Sequence, residues 1–343
     1  KNKMNKNKKA RTSSSKRQKT NHRKESFWTK LANMMITLCL TAGMLWGLQA
    51  FSRTGSTNLK FAQVSDVHFL EHGSNTTFKM TGESPRLLDD AVNQINEQSD
   101  IDFVMFTGDL IDKSFEKELR AVLPHLDKLN APWYFAFGNH DRCVGGYLTT
   151  LVYLDMLRNN NPNFKFKKAY YSFEPKKNYK VIVLDNIITN EITSNGYIDE
   201  TQLKWLKKEL DSCSKDDTVL MFMHVPIVEP FASPNHRMRN AIVLKQLIES
   251  YKFPIGVFQG HYHAAKITQH DNVLYVSSPA LVSYPNAFRI VDVTNYKDKV
   301  VFDFDWRETR ETTIQKMAKI LVFSSSIYTG EAKDQAGTYT IKK

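Results

Sequence analysis

Cysteine is scarce in this chain, with three among 343 residues. Cys39 lies in an uncharged stretch, which leaves Cys143 and Cys213 as the single candidate disulfide pair elsewhere, and two unpaired thiols are the simpler interpretation. The sequence also has no Cys-x-x-Cys motif. These absences exclude a fold held together by several disulfides and a structural zinc site built from thiolates.

Acidic residues are almost absent from the first thirty positions, which contain twelve Lys or Arg and a single Glu, Glu25. The other 313 residues carry 35 basic and 35 acidic side chains, so the formal net charge of +11 belongs to this N-terminal arm. A body that binds nucleic acid needs a basic face made from its own residues. We therefore expect no nucleic-acid partner, and the arm is too polar to fold alone.

Charge is also absent from residues 31–51, LANMMITLCLTAGMLWGLQAF, which lie between Lys30 and Arg53. A helix of this length spans about 30 Å, enough to cross a bilayer. We expect an uncleaved transmembrane signal anchor that keeps the arm at 1–30 in the cytoplasm and the rest of the chain outside. A cleaved signal peptide with a long basic leader, giving a secreted protein, and a buried helix of a soluble protein stay open as alternatives.

Strand-like and amphipathic runs alternate after a polar linker at residues 52–59, and several strand-like runs follow one another before residue 306. This order predicts an α/β or α+β domain in which helices cover the sheets. We place that domain at residues 60–310. Residues 311–343 are expected to form a partly disordered C-terminal extension.

Five of the strand-like runs end in carboxylate, amide or imidazole side chains. They end in Asp66 and His68; in Asp109 and Asp112; in Asn139, His140 and Asp141; in His224; and in His261 and His263. In open α/β sheets, the carboxyl ends of the strands line the crevice where ligands bind. Oxygen and imidazole donors without thiolate are typical of a Mn, Fe or Zn site. A carboxylate is the natural bridge between two cations, and we expect Asp109 in that position.

The order of these motifs is that of a known family. They read DVH at 66–68, GDLID at 108–112, GNHD at 138–141, a lone His224 and GHYH at 260–263. Over roughly residues 60–293 the chain resembles the calcineurin-like metallophosphoesterase superfamily, in particular its bacterial phosphodiesterase-like branch. The resemblance implies a four-layer α/β/β/α sandwich of two mixed sheets flanked by helices, with a dinuclear metal site at one end.

The resemblance also implies roles for individual residues. The first metal ion would be held by Asp66, His68, His263 and the bridging Asp109, and the second by Asp109, Asn139, His224 and His261. His140 would contact the phosphoryl oxygens or protonate the leaving group, and Asp141 would orient His140. Asp112 would support the site from behind the ligands.

The implied activity is hydrolysis of phosphomonoesters or phosphodiesters by a water activated at two metal ions, whose identity as Mn, Fe or Zn stays open. Tyr262, between two predicted ligands, and His72, just after the first motif, are candidate substrate contacts. The alternative is a non-catalytic scaffold of the same fold that binds a protein partner. The complete motif set favours the enzyme.

Overall fold

The computed structural model describes residues 30–39, 41, 55–142, 144–322 and 324–343. Residues 30–39 are helical. In the described part of the chain, no helix combines the length and the apolar character that crossing a bilayer requires. Three predicted features lie outside the described residues. They are the basic arm except Lys30, the second half of the anchor except Thr41, and Cys143.

Residues from Gly55 onward form one unit of the chain. Its strands are β1 (Thr57–Val64), β2 (Phe103–Thr107), β3 (Trp133–Ala136), β4 (Tyr171–Phe173), β5 (Tyr179–Val183), β6 (Thr218–Phe222), β7 (Ile255–Gln259), β8 (Lys266–His270), β9 (Val273–Ser277), β10 (Ala287–Asn295), β11 (Lys299–Glu308) and β12 (Gly337–Lys342). Its helices are α1 (Ser84–Asn96), α2 (Glu116–Leu126), α3 (Asn139–Arg142), α4 (Thr150–Asn160), α5 (Glu200–Asp211), α6 (Ala241–Glu249), α7 (Thr312–Leu321), α8 (Ser325–Thr329) and α9 (Ala332–Gln335).

The strands form two mixed six-stranded sheets, which confirms the predicted pair of sheets flanked by helices. The first has the order β12-β11-β10-β1-β2-β3 and the second β4-β5-β6-β7-β9-β8. In the first sheet β1 runs parallel to β2 and antiparallel to β10. In the second, β5, β6, β7 and β9 run parallel to one another.

Aromatic side chains fill the space between the sheets. The Phe61 ring of the first sheet lies 5.4 Å from Phe222 and 5.1 Å from Phe258 of the second, and both pairs meet edge to face. All five residues of β2, of β6 and of β7 are buried. Strands covered on both faces read as continuous apolar runs, which is why these segments lack a polar alternation.

Residues 311–343 differ from the expected partly disordered extension. They contribute α7, α8, α9 and the edge strand β12, which pairs antiparallel with β11 from Lys299–Lys342 to Phe304–Gly337. Ile314, Ala318 and Ile341 are buried against the core. Few apolar residues therefore suffice to fix this polar segment, because the edge of an existing sheet supplies its hydrogen bonds.

The parallel strands deliver the predicted ligands to one place. Five strands each end two or three residues before a predicted metal ligand. They are β1, β2 and β3 of the first sheet and β6 and β7 of the second. Parallel neighbours end at the same edge of their sheet, and the two sheets face each other across the Phe61 contacts. The loops after these strands are therefore the part of the fold in which the motifs meet.

Candidate metal centre

Five of the predicted ligands have a left-handed backbone conformation. The φ angle is 53° at Asp66, 44° at His68, 52° at Asp109, 73° at His261 and 54° at His263. Such residues cost about 1–3 kcal/mol each and persist only where the surrounding structure dictates them. Here the loops hold one another, since the His68 N–H donates to the Asp109 carbonyl oxygen at 2.9 Å. Strain concentrated at these strand ends is typical of a functional site.

The first group of donor atoms belongs to Asp66, His68 and His263. His263 Nε2 lies 3.3 Å from Asp66 Oδ1 and 3.3 Å from His68 Nε2. All three side chains are buried. Each residue offers one atom within 4.8 Å of the others, which is a spacing that a single metal ion can bridge.

The second group belongs to Asp109, His224 and His261. His224 Nε2 lies 3.3 Å from Asp109 Oδ2 and 3.1 Å from His261 Nδ1. Asp109 Oδ2 is also 3.5 Å from His68 Nε2, so this one oxygen lies between the two groups. Asn139, the remaining predicted ligand, is buried and lines the same cavity of about 180 Å³.

The histidines are turned so that one ring nitrogen faces this centre. Nδ1 of His68 lies 3.0 Å from the Asp112 carboxylate, Nδ1 of His224 lies 2.8 Å from the Thr107 carbonyl oxygen, and Nδ1 of His263 lies 2.8 Å from the Ser283 hydroxyl. In each case Nε2 is left for the centre. Outer hydrogen bonds of this kind orient metal-binding histidines and raise their basicity.

The charges at the centre suit cations. Burial above all lowers the pKa of His68 to about 3, so its imidazole is neutral and keeps a lone pair. Burial opposes protonation of His224 as well, but the Asp109 and Asp66 carboxylates outweigh it and raise the pKa of that ring to about 9. Buried carboxylates that attract a proton so strongly will also attract a metal ion. His261 directs Nδ1 toward His224 Nε2 at 3.1 Å, while its Nε2 is buried without a hydrogen-bond partner in the described structure.

Glycines let the loops approach one another here. A Cβ atom on Gly138 would lie 2.2 Å from both the backbone nitrogen and Oδ1 of Asp109. Gly108 has a φ of 90°, and a Cβ there would lie 2.3 Å from His224 Nδ1. Both positions therefore need glycine, as the close approach inferred from the motifs requires.

His140 lies beside the centre, with its ring against that of His68 at a centroid distance of 4.5 Å. Its Nδ1 is 2.7 Å from the Asp112 carbonyl oxygen and 3.7 Å from the Asp112 carboxylate. His68, Asp112 and His140 thus form a further group of donor atoms within 4.8 Å. Because Nδ1 of both rings faces Asp112, we interpret this group as hydrogen-bonded support.

Asp141 does not occupy the predicted position beside the His140 ring. Its buried carboxylate accepts the backbone N–H groups of four other residues and the hydroxyl of Tyr153. The backbone donors are Asp109 and Gly138 at 2.8 Å, Leu110 at 3.0 Å and Ile111 at 3.2 Å. Tyr153 donates at 3.1 Å, and burial together with Asp109 raises the pKa of Asp141 to about 7. Asp112 orients His140, whereas Asp141 holds the loop that carries Asp109.

We expect Asp141→Ala to destabilise the protein by about 4 kcal/mol or more. Four buried N–H groups would lose their acceptor, and each such loss costs about 1–3 kcal/mol. Urea unfolding of the metal-free protein measures the change. Asp127→Ala, at an exposed aspartate, is the matched control. A loss below about 1 kcal/mol would show that the Asp141 contacts do not hold this loop.

Neither candidate substrate contact reaches the cavity. The His72 side chain is 90% exposed and lies 3.9 Å from Glu71. Tyr262 is buried, with its ring edge-on to Phe231 at 5.1 Å. Tyr262 is not among the residues that line the cavity, whereas His261 and His263 on either side of it are.

The cavity includes residues that the motifs do not contain, namely Phe78, Lys79, Ser194 and His236. Lys79 Nζ lies 2.5 Å from Asp112 Oδ1 and places a cation at the cavity wall. These residues come from loops without periodicity or motif. The sequence alone therefore contains no signal for them.

The family model for calcineurin-like phosphoesterases matches residues 59–265. The chain belongs to this family. The predicted metal-dependent phosphoesterase is thereby confirmed, since the family binds two metal ions and its members hydrolyse phosphoester bonds. The matched region contains every predicted metal ligand.

Curated relatives of this calcineurin-like phosphoesterase act on several kinds of substrate. A 3′,5′-cyclic-nucleotide phosphodiesterase of Nostoc sp. is 26% identical over 65% of this chain and 78% of its own length. A manganese-dependent ADP-ribose/CDP-alcohol diphosphatase of Oryza sativa subsp. japonica is 24% identical over 70% of this chain and 89% of its own. A dimetal phosphatase of Danio rerio has the same fold, with a TM-score of 0.57 and 19% identity over 71% of this chain and 95% of its own.

Proposed function

We propose that this protein hydrolyses phosphomonoesters or phosphodiesters at a dinuclear metal centre. The proposed ligands are Asp66, His68, His263 and Asp109 for the first ion, and Asp109, Asn139, His224 and His261 for the second. The observation that carries this proposal is the position of Asp109 Oδ2, 3.5 Å from His68 Nε2 and 3.3 Å from His224 Nε2. A carboxylate oxygen shared by two groups of donors is what a pair of cations about 3.5–4 Å apart needs.

Metal ions bound at such a centre lower the pKa of a water molecule toward neutrality and offset the charge of the phosphoryl oxygens. Mn, Fe and Zn all suit these nitrogen and oxygen donors. The manganese dependence of the rice relative makes Mn²⁺ the first ion to test.

The His140 side chain supplies the proton that the leaving group needs. Because Nδ1 of His140 bonds to the Asp112 carbonyl oxygen, Nε2 is the ring atom available to the substrate. A protonated Nε2 can donate to the oxygen of the leaving group, and a positioned acid of this kind contributes typically about 10²–10⁴-fold. The ring packs edge-on against His68, so its orientation is fixed before the substrate arrives.

The test uses the full-length protein after removal of metals with a chelator. We expect it to bind two equivalents of Mn²⁺ and to hydrolyse p-nitrophenyl phosphate or bis(p-nitrophenyl) phosphate only when the metal is restored. Metal content is measured by mass spectrometry and turnover by absorbance. A protein that binds two ions but cleaves neither ester would favour the non-catalytic scaffold, and one that binds none would refute the proposed centre.

Membrane attachment through residues 31–51 stays a separate proposal. It is supported by the uncharged run of 21 residues and by the basic arm before it. We expect carbonate washing of membranes to leave the full-length protein bound, and an external protease to digest its body. Release by carbonate would exclude the anchor without affecting the proposed hydrolysis.

A further inference from the structure

The chain beyond the region matched by the family model returns to the metal centre. Residues 324–336, here called the C-terminal segment, pack against the residues that follow His263. The Ala265 N–H donates to the Tyr328 carbonyl oxygen at 2.9 Å, and the Ile267 N–H donates to Asp334 Oδ1 at 2.9 Å. The segment therefore borders the loop that carries a predicted ligand.

Buried charges fix the C-terminal segment in this place. The Asp334 carboxylate is fully buried, and Lys266 Nζ lies 3.3 Å from it. The guanidinium of Arg289, also fully buried, donates to the Gln335 carbonyl oxygen at 2.8 Å and to that of Asp334. Charge-assisted hydrogen bonds of this kind are among the strongest in proteins. The backbone of the segment is thus held independently of the Tyr328 ring.

Two aromatic rings connect the C-terminal segment to His263. The Tyr328 ring lies 5.4 Å from Phe78, and the Phe78 ring stacks on His263 at 5.1 Å with an interplanar angle of 18°. Ser283 bonds to His263 Nδ1 at the edge of the same imidazole. The ring of this predicted ligand is therefore fixed at its edge by a hydrogen bond and on its face by Phe78, which Tyr328 supports in turn.

We propose that Tyr328 is a positioning residue of the metal centre, which acts through Phe78 to hold the His263 ring in the orientation that binds the first metal ion. The inference rests on the proposed function, because it takes His263 as a ligand. It makes the C-terminal segment part of the active site, although this segment lies outside the family match. The ring of Tyr328 carries the effect, and its hydroxyl is not needed.

The test compares Tyr328→Ala with Tyr328→Phe in the full-length protein. Calorimetric titration with Mn²⁺ measures both sites without reference to turnover. We expect Tyr328→Ala to weaken one of the two sites by roughly 10-fold, the lower end of the effect of support around metal ligands. Tyr328→Phe keeps the ring and should bind like the parent. Ile327→Ala, at a neighbouring exposed position of α8, is the matched control and should also bind like the parent.

A double-mutant cycle tests whether Tyr328 acts through Phe78. We expect Phe78→Ala to weaken the same site, and the addition of Tyr328→Ala to weaken it no further, since coupled residues are not additive. Full additivity, or parent-like binding by Tyr328→Ala, would overturn the proposal. Should Tyr328→Ala not fold, Tyr328→Leu carries the same expectation, because it fills space but offers no ring to Phe78.

His263→Ala separates this proposal from the proposed function. We expect this variant to lose one Mn²⁺ site. If it does so while Tyr328→Ala binds both ions like the parent, the positioning role alone is wrong. If His263→Ala itself binds two ions with parental affinities, the assignment of the metal ligands is wrong, and the positioning role fails with it.

Discussion

Asp109→Asn should abolish binding of the metal pair and lower turnover by at least about 10³-fold. The substitution keeps the size of the side chain but removes the negative charge from the one oxygen that lies between the two groups of donors. Two-metal stabilisation of a phosphoryl transition state is worth several kcal/mol, and each 1.36 kcal/mol corresponds to about a factor of ten in rate. Mn²⁺ titration and hydrolysis of bis(p-nitrophenyl) phosphate measure the two effects.

The fold should survive this substitution. The His140 N–H donates to Asp109 Oδ1 at 2.8 Å, and an asparagine carbonyl oxygen can accept the same hydrogen bond. Thermal unfolding of the metal-free variant should therefore still be a single cooperative transition, with a midpoint shifted by loss of the charge that holds the proton on His224, and this separates loss of metal from loss of structure. Asp127→Asn, at an exposed aspartate, is the control. Retention of two bound ions and of more than a tenth of the activity would show that Asp109 is not the bridge.

The meeting of the proposed ligands at one candidate centre could be predicted from the sequence, because these residues interrupt a strong pattern. Asp66 and Asp109 each follow a strand whose last residues are buried, and a polar group at the end of such a strand is visible without coordinates. Gly108, beside Asp109, is a second signal, which the structure explains by the close approach of the Gly108 backbone to the His224 ring. The local sequence therefore indicates which residues carry the donor atoms and which strand ends bring them together.

The roles of neighbouring residues could not be predicted in this way. Asp141 follows His140 directly, yet on a helical turn consecutive side chains point about 100° apart. The carboxylate therefore faces the N–H groups of residues 109–111, and the imidazole faces Asp112. Which direction each side chain takes depends on the loop packed against α3, and that loop comes from another part of the chain.

Strand β12, which follows the C-terminal segment, shows the same limit at a larger scale. Residues 337–342, GTYTIK, contain strand-favouring Thr, Tyr and Ile, but one buried apolar side chain, Ile341, is too little to place them in a sheet from the sequence. Pairing with β11 decides their conformation. Phe78 and Lys79 likewise line the cavity, although the composition of their loop does not indicate a functional role. Long-range contacts, rather than local preference, complete this active site.

His140→Ala should keep both metal ions and lower kcat by about 10²–10⁴-fold, the usual contribution of a positioned acid or base. The His140 ring lies outside the two groups of proposed ligands and is held by the Asp112 carbonyl oxygen. Mn²⁺ titration tests the first expectation and steady-state kinetics the second. His72→Ala is the matched control, because that side chain is 90% exposed and away from the cavity.

The choice of substrate separates the two roles that His140 can have. If Nε2 protonates the leaving oxygen, an aryl ester with an acidic leaving group needs that proton less than an alkyl ester does. The loss of kcat in His140→Ala should then be much smaller for p-nitrophenyl esters than for alkyl phosphodiesters. If His140 instead bonds to the phosphoryl oxygens, both substrates lose similar factors, because those oxygens do not change with the leaving group. Parental kcat on both esters would mean that His140 takes no part in the reaction. The Asp112 carbonyl oxygen fixes Nδ1 in either case. The ratio of the kcat losses on the two esters therefore reports whether Nε2 contacts the leaving oxygen or the phosphoryl oxygens.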